Sequence, residues 1–372
     1  MPTLSELQTR GQSIWLDFIS RELLASGRLA GLVSDGLRGL TSNPAIFEKA
    51  LGQGQDYAAA LAPLARAGFD AKTIYERLAI RDIQDAADAL QAVHASTNGA
   101  DGFVSLEVSP VLAHDTAGTL AEARRLWREV ARPNLMIKVP GTPAGVPAIR
   151  DLIADGINVN VTLLFSQAAY ASVAAAYIEG LEVRAARGES IEQIGSVASF
   201  FVSRIDTAVD ALLDARLATA SDRERASLER LKGKVAIANA RLAYQHYLQL
   251  SAGERWQRLA AKGARPQRLL WASTSSKNPA YRDVIYVEEL IGPDTVNTLP
   301  PATLDAFLDH GIARNSMTED IEGARRVLDD LAAAGIEFDA VTNRLLDEGI
   351  ALFADAFDKL LAAVRGQMVK GA

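Results

Sequence analysis

Short apolar segments alternate with longer helix-like segments along the 372-residue chain, and this alternation restricts its fold more than any other feature. Apolar runs of strand length that are separated by helices are typical of β-α-β units, which form parallel sheets. Eight such units predict a closed (β/α)8 TIM barrel, an α/β fold, and the alternative is an open doubly wound sheet. The runs span residues 13–20, 36–43, 102–109, 135–140, 157–164, 196–203, 268–275 and 295–300.

Helical patterns occupy the segments between these runs. Residues 73–93 carry apolar side chains at helical spacing, and the pair Thr73 and Glu76 predicts a capping box at the start of that helix. A second helix is predicted over 167–187, where Gly188 is a suitable stop. Both helices are long enough to connect two parallel strands.

Two helical segments exceed what a minimal barrel needs. Residues 205–265 are long and polar, and we expect two or three helices there, between the sixth and seventh strands. Residues 302–372 form a helical C-terminal extension, with a capping box predicted at Ser316 and Glu319. Since no linker-like or low-complexity tract interrupts the chain, residues 1–372 are predicted to form a single domain.

Composition excludes several classes of protein. The net charge of −7 argues against a general nucleic-acid binder, although a local basic pocket for a phosphate remains open. The chain has no cysteine, and its four histidines lack metal-ligand spacing, so we predict no disulfide and no metal. No apolar stretch is long enough for a membrane-spanning helix, and no leader-like segment is visible, so we expect a cytoplasmic location and no membrane partner.

One lysine lies within the apolar run LMIKVPG at residues 135–141. An ammonium group without a partner is costly to bury, so Lys138 needs a reason to be there. A lysine that burial drives to the neutral form is a nucleophile that attacks carbonyl groups and can form a Schiff base. The alternative is that Lys138 is half of a structural ion pair.

Polar side chains recur on one face of four predicted strands. Because strand side chains alternate between two faces, Asp17, Glu107 and Lys138 each oppose apolar neighbours, as do Asn160 and Thr162. If these faces point inward, the five residues meet near the strand ends, where barrel enzymes place their catalytic groups. Two carboxyl groups in different environments can serve as separate acid and base. The alternative is that the carboxylates are only ion-pair partners of the lysine.

Three segments resemble the signature segments of the transaldolases, in particular the bacterial branch with a longer C-terminal region. They are GLTSNPAIFEKA (39–50), LMIKVPGTPAG (135–145) and GINVNVTLLFSQAAY (156–170). The resemblance implies a class I aldolase-type barrel of the non-oxidative pentose phosphate pathway. Such an enzyme moves a dihydroxyacetone unit from sedoheptulose 7-phosphate or fructose 6-phosphate to an aldose phosphate, without cofactor or metal.

The resemblance also implies catalytic roles. Lys138 corresponds to the lysine that forms the Schiff base. Glu107 is similar to the carboxyl group that shuttles protons through a catalytic water, which Thr162 would hold. Asp17 is similar to the base that removes the proton of the C4 hydroxyl during carbon–carbon cleavage.

The substrate-binding residues implied by the resemblance come from four segments. Asn43 and Asn160 would hydrogen-bond the dihydroxyacetone unit, and Ser199 and Arg204 would contact the substrate and its phosphate. The family pattern has an arginine after the seventh strand, whereas this chain offers Lys277, with Ser275 or Ser276 beside it, and we take Ser275 as the binding residue. A lysine can bind phosphate as a point charge, without the bidentate geometry of arginine.

Two other functions stay open at this stage. One is a Schiff-base aldolase that releases free dihydroxyacetone, and the other is a catalytically inactive barrel that binds sugar phosphates. Small-molecule sugar phosphates are the predicted partners in each case. The sequence leaves the oligomeric state open between a monomer and a homodimer.

Overall fold

The computed structural model describes residues 2–53 and 55–370. Eight parallel strands form a closed barrel in which each strand pairs with the next and β8 pairs with β1. The predicted (β/α)8 barrel is therefore confirmed, and the open sheet is excluded. The strands are β1 (Gln12–Asp17), β2 (Gly39–Thr41), β3 (Phe103–Glu107), β4 (Leu135–Pro140), β5 (Val159–Leu164), β6 (Ser196–Phe201), β7 (Arg268–Ala272) and β8 (Thr295–Leu299).

The helices surround this barrel. They are α1 (Leu4–Thr9), α2 (Arg21–Ala25), α3 (Arg28–Asp35), α4 (Pro44–Gln53), α5 (Ala58–Arg66), α6 (Ala71–Ser96), α7 (Thr116–Val130), α8 (Gly145–Ala154), α9 (Gln167–Ala186), α10 (Ser203–Leu217), α11 (Asp222–Leu231), α12 (Val235–Ala252), α13 (Glu254–Ala260), α14 (Ile285–Glu288), α15 (Pro301–His310), α16 (Ile321–Ala333) and α17 (Phe338–Lys370). No helix of the described part of the chain is long and apolar enough to cross a membrane.

Large side chains fill the barrel interior on the side away from the C-terminal ends of the strands. Trp15 and Phe103 pack there with their ring centroids 6.3 Å apart. A Cβ atom at Gly39 would lie 2.5 Å from the Trp15 ring, so this strand position accepts only a glycine. These side chains occupy the barrel interior below a cavity that lies at the C-terminal ends of the strands.

Two predicted capping boxes were wrong. Helix α6 begins at Ala71, because the side chain of Asp70 caps it by accepting a hydrogen bond from the Thr73 amide at 2.8 Å. The hydroxyl of Ser316 instead accepts from the amide of Ile291, in the loop before β8. Asp320 caps the following helix. In each case an aspartate outside the predicted box supplies the capping oxygen.

The helical segment between β6 and β7 contains four helices, α10 to α13, so the expectation of two or three was wrong. The turns that separate these helices are only one to four residues long, so a long polar helical pattern does not reveal where one helix ends and the next begins. In the C-terminal extension, α17 packs against α4, α6 and α10. It therefore passes close to the C-terminal ends of the barrel strands.

Candidate active site

A cavity of about 160 Å³ lies at the C-terminal ends of the strands. Eight of the ten residues predicted from the sequence line this cavity, and the remaining two, Glu107 and Asn160, contact lining residues. The structure therefore brings all the predicted residues together. The eight lining residues are Asp17, Asn43, Lys138, Thr162, Ser199, Arg204, Ser275 and Lys277.

The parallel register places the central groups side by side. Glu107 on β3 is the Cα partner of Lys138 on β4, which is in turn the partner of Asn160 on β5. The Lys138 amine is almost fully buried, 3.4 Å from a carboxylate oxygen of Glu107. It also donates a hydrogen bond of 3.3 Å to the backbone carbonyl of Ser42, just after β2. These contacts hold the amine at the floor of the cavity.

Glu107 is the carboxyl group closest to the lysine. Burial raises its pKa to about 7, the neighbouring ammonium of Lys138 opposes this rise, and the charge of Asp17 adds to it. Both carboxylate oxygens, and the hydroxyl of Thr162, are buried without a hydrogen bond from the described residues. Buried polar groups normally have partners, so these atoms are available to a water or a substrate. A carboxyl group that titrates near pH 7 can both give and take a proton at neutral pH.

Asp17 ends β1 on the other side of the cavity. One carboxylate oxygen accepts a hydrogen bond of 2.7 Å from Thr41, whose hydroxyl also lies 2.7 Å from that of Thr298. Burial raises the pKa of Asp17, while the charge of Lys138 and the hydrogen bond from Thr41 oppose the rise. The site thus holds two carboxyl groups in different settings, one beside the amine and one in a network of hydroxyls.

A chain of hydrogen bonds fixes the amide on β5. Asn160 donates to the hydroxyl of Ser105 at 3.0 Å, and its carbonyl oxygen accepts from Ser199 at 2.6 Å. The orientation of the amide is therefore set by its partners on β3 and β6. Across the cavity, the side chain of Asn43 caps α4 by accepting from the amide of Ile46 at 3.0 Å.

Two cationic side chains face each other at the mouth of the cavity. Arg204 lies in the first turn of α10, and burial lowers its pKa. Lys277 lies in the segment after β7, where its amine donates to the hydroxyl of Ser275 at 2.7 Å. Desolvation lowers the pKa of Lys277, and the charges of Arg204 and Lys49 add to this effect. The mouth of the cavity therefore carries a concentration of positive charge.

Sequence reasoning missed several side chains that line the cavity, among them Thr41, Thr298 and Phe353. The Phe353 ring on α17 also lines the cavity, and the Lys138 amine lies 5.8 Å from its centroid. Its position in the sequence belongs to an apolar stripe that is typical of any packed helix, so no local signal distinguishes it. A cation on the lysine nitrogen would be stabilised by this ring.

The second missed feature is a bulge in β5. The register with β6 shifts between Val161 and Leu164, and Leu163 has a φ of +60°. This left-handed conformation is rare for a branched residue and directly follows Thr162. Strained backbone of this kind is common at functional sites, where it sets the direction of a side chain.

Fold and site together define a class, that of (β/α)8-barrel enzymes whose cavity is built around a buried lysine. Residues 14–364 match the family model described as Transaldolase/Fructose-6-phosphate aldolase. The chain belongs to this family, in which a lysine Schiff base is the typical mechanism. The sequence-based predictions of a transaldolase, and hence of an enzyme of the transferase class, are confirmed by this membership and by the relatives below.

The relatives match over nearly the full length of the chain. A transaldolase of Trichodesmium erythraeum is 50% identical over 371 residues, which cover 99% of this chain and 98% of the relative. Transaldolase 2 of a Nostoc species is 50% identical over 98% of this chain and 97% of its own length. A transaldolase of Neisseria gonorrhoeae is 48% identical over 97% of this chain and 99% of its own length.

Proposed function

We propose that the protein transfers a dihydroxyacetone unit from sedoheptulose 7-phosphate to glyceraldehyde 3-phosphate, giving erythrose 4-phosphate and fructose 6-phosphate. The observation that carries this proposal is the buried Lys138 amine beside Glu107, at the floor of a cavity whose mouth is cationic. The proposal treats residues 1–372 as one domain, located in the cytoplasm. Sugar phosphates are its partners, and neither nucleic acid, membrane, cofactor nor metal takes part.

In the first stage Lys138 passes a proton to the carboxylate of Glu107, 3.4 Å away. The neutral amine then attacks the C2 carbonyl of the ketose phosphate, and an N–H proton moves to the former carbonyl oxygen to give a carbinolamine. Glu107 then delivers a proton, through a water that Thr162 holds, to the departing hydroxyl, which leaves as water. The product is an iminium ion. The pKa of Glu107 near 7 supports this role, because such a carboxyl group is partly protonated at neutral pH.

In the second stage Asp17 removes the proton of the C4 hydroxyl. The C3–C4 bond breaks, its electron pair moves into the iminium, and the first aldose phosphate leaves as the aldehyde. Asn43, Asn160 and Ser199 hold the hydroxyl groups of the dihydroxyacetone unit that remains bound. The resulting enamine attacks the acceptor aldehyde, and Asp17 returns its proton to the new hydroxyl group. Hydrolysis of the new iminium then completes the transfer.

Arg204, Lys277 and Ser275 bind the phosphate in this proposal. Loss of a charge-assisted hydrogen bond typically costs roughly 1.5–3 kcal/mol, or about ten- to a hundredfold in binding. Arg204→Ala and Lys277→Ala should therefore raise KM for fructose 6-phosphate by this factor. The ratio of kcat/KM for fructose 6-phosphate to that for unphosphorylated fructose should fall accordingly. If Lys277→Ala leaves this ratio unchanged, Lys277 is not a phosphate ligand.

Product analysis tests the proposed activity against the two alternatives. The protein is incubated with fructose 6-phosphate and erythrose 4-phosphate, with Lys138→Met as the matched inactive control. A transaldolase forms sedoheptulose 7-phosphate and almost no free dihydroxyacetone. Free dihydroxyacetone as the main product would indicate an aldolase, and no conversion despite bound sugar phosphate would indicate an inactive binding protein.

A further inference from the structure

The two cations of the proposed phosphate site come from different segments of the chain. Arg204 begins α10, the helix that follows β6, whereas Lys277 lies in the irregular segment that follows β7. Lys277 is an exposed residue, and within the described part of the chain its side-chain hydrogen bond is to Ser275, a residue of the same segment. Something outside this segment must therefore set the distance between the two cations.

A first connection joins the segments at their starts. The amide of Ser203 donates to the backbone carbonyl of Ser273 at 3.0 Å, and the two serine hydroxyls lie 3.0 Å apart. This contact extends the pairing of β6 and β7 by one residue beyond the sheet. It fixes the beginning of the second segment, but it leaves the residues beyond Ser275 to be held by another contact.

A second connection joins the segments at the far end. The hydroxyl of Tyr281, four residues after Lys277, donates to a carboxylate oxygen of Asp210 on α10 at 2.6 Å. The hydroxyl of Tyr286 donates to Asp206, also on α10, at 2.8 Å. Both carboxylates thus lie on the helix that carries Arg204, where Asp206 is two residues and Asp210 six residues further along.

The same carboxylates also accept hydrogen bonds from backbone amides at the start of α12 and in the turn before it. The amide of Gly233 donates to Asp210 at 3.2 Å, and the amide of Ala236 donates to Asp206 at 2.8 Å. Gly233 has a φ of +69°, and a Cβ atom there would lie 2.7 Å from the Tyr281 ring. The Tyr281 ring therefore packs closely against a glycine of this turn, and the position of Tyr281 is fixed from two sides.

We propose that Tyr281 and Asp210 are positioning residues for phosphate binding: their hydrogen bond ties the segment that carries Lys277 to the helix that carries Arg204. The inference rests on the proposed function, because it takes both cations to be ligands of the substrate's phosphate. It makes Tyr281 and Asp210 act through these ligands, without contact to the substrate.

Tyr281→Phe tests the inference by removing one hydroxyl. We expect inorganic phosphate to inhibit this variant three- to tenfold more weakly than the wild type, since a hydrogen bond contributes about 0.5–1.5 kcal/mol. The ratio of kcat/KM for fructose 6-phosphate to that for fructose should fall by the same factor. Asp210→Asn keeps an acceptor for the tyrosine, so it should weaken phosphate inhibition less than Asp210→Ala.

Tyr57→Phe is the matched control, because it removes another tyrosine–aspartate hydrogen bond of 2.6 Å, the one to Asp82. The inference is overturned if Tyr281→Phe and Tyr57→Phe give the same phosphate inhibition, or if Tyr281→Phe lowers kcat/KM equally for both donors. If Tyr281→Phe does not fold, Asp210→Asn and Asp210→Ala test the inference through the same ratio of kcat/KM for the two donors.

Arg204→Ala separates failure of this inference from failure of the proposed site. If that variant binds phosphate as the wild type does, the proposed phosphate site is wrong and the inference falls with it. If Arg204→Ala loses phosphate inhibition while Tyr281→Phe keeps it, the site stands and only the positioning role is refuted.

Discussion

Replacing Glu107 by glutamine should change how the stability of the protein depends on pH. The ordinary pKa of a glutamate side chain is 4.5, whereas burial raises that of Glu107 to about 7. The folded chain then binds a proton between these two pH values that the unfolded chain has already released. Stability from this group is therefore present at low pH and is lost as the pH rises through about 7.

The size of the effect follows from the same two values. One pKa unit corresponds to about 1.4 kcal/mol, so the wild type should lose about 3 kcal/mol of unfolding free energy between pH 4.5 and pH 8 because of this group. Glutamine does not titrate. The unfolding free energy of Glu107→Gln, relative to the wild type, should thus rise by about 3 kcal/mol over this range.

Urea unfolding of both proteins at a series of pH values measures this difference directly. Lys138→Met is the informative second variant. It removes the ammonium that opposes the rise in the pKa of Glu107, so the loss of stability should move to higher pH. A difference between wild type and Glu107→Gln that stays constant from pH 4.5 to pH 8 would refute the reasoning, since the pKa of Glu107 would then be the same in the folded and the unfolded chain.

Three further predictions concern the reaction. Asp17→Ala should slow turnover by about a hundred- to ten-thousandfold, the usual contribution of general base catalysis, while the Schiff base with fructose 6-phosphate can still be trapped. Loss of the trapped species would contradict this role. Phe353→Leu should lower kcat by about two- to thirtyfold, since a cation–π contact with the iminium is worth about 0.5–2 kcal/mol, and an unchanged kcat would refute the contact. Dialysis against EDTA should leave activity unchanged, because an iminium already serves as the electron sink, and activity restored only by zinc would refute that.

Strand alternation made the central part of the site predictable. The sequence neighbours of Asp17, Glu107 and Lys138 are apolar and point to the opposite face of each strand. A closed parallel barrel brings such polar positions together at one end. The alternation within each strand and the predicted barrel therefore lead to the same set of central residues. The roles of these residues and of Arg204 came from the resemblance to a family, and they remain proposals.

Contacts between distant segments could not be predicted in this way. Phe353 reaches Lys138 because a long helix of the extension crosses near the barrel mouth, and its apolar stripe matches that of any packed helix. Tyr281 meets Asp210 from 71 residues away, a pairing that leaves no periodic trace in the sequence. The bulge at Leu163 depends on the register with β6, which one strand alone does not specify.

The central claim, that Lys138 forms a Schiff base with the donor, is tested most directly by reduction with borohydride in the presence of fructose 6-phosphate. Peptide mapping by mass spectrometry then locates the reduced adduct. The account predicts inactivation and a dihydroxyacetone-derived adduct on the peptide that contains Lys138, with no adduct in folded Lys138→Arg, whose guanidinium stays protonated. An adduct on another lysine, or full activity after reduction, would contradict it.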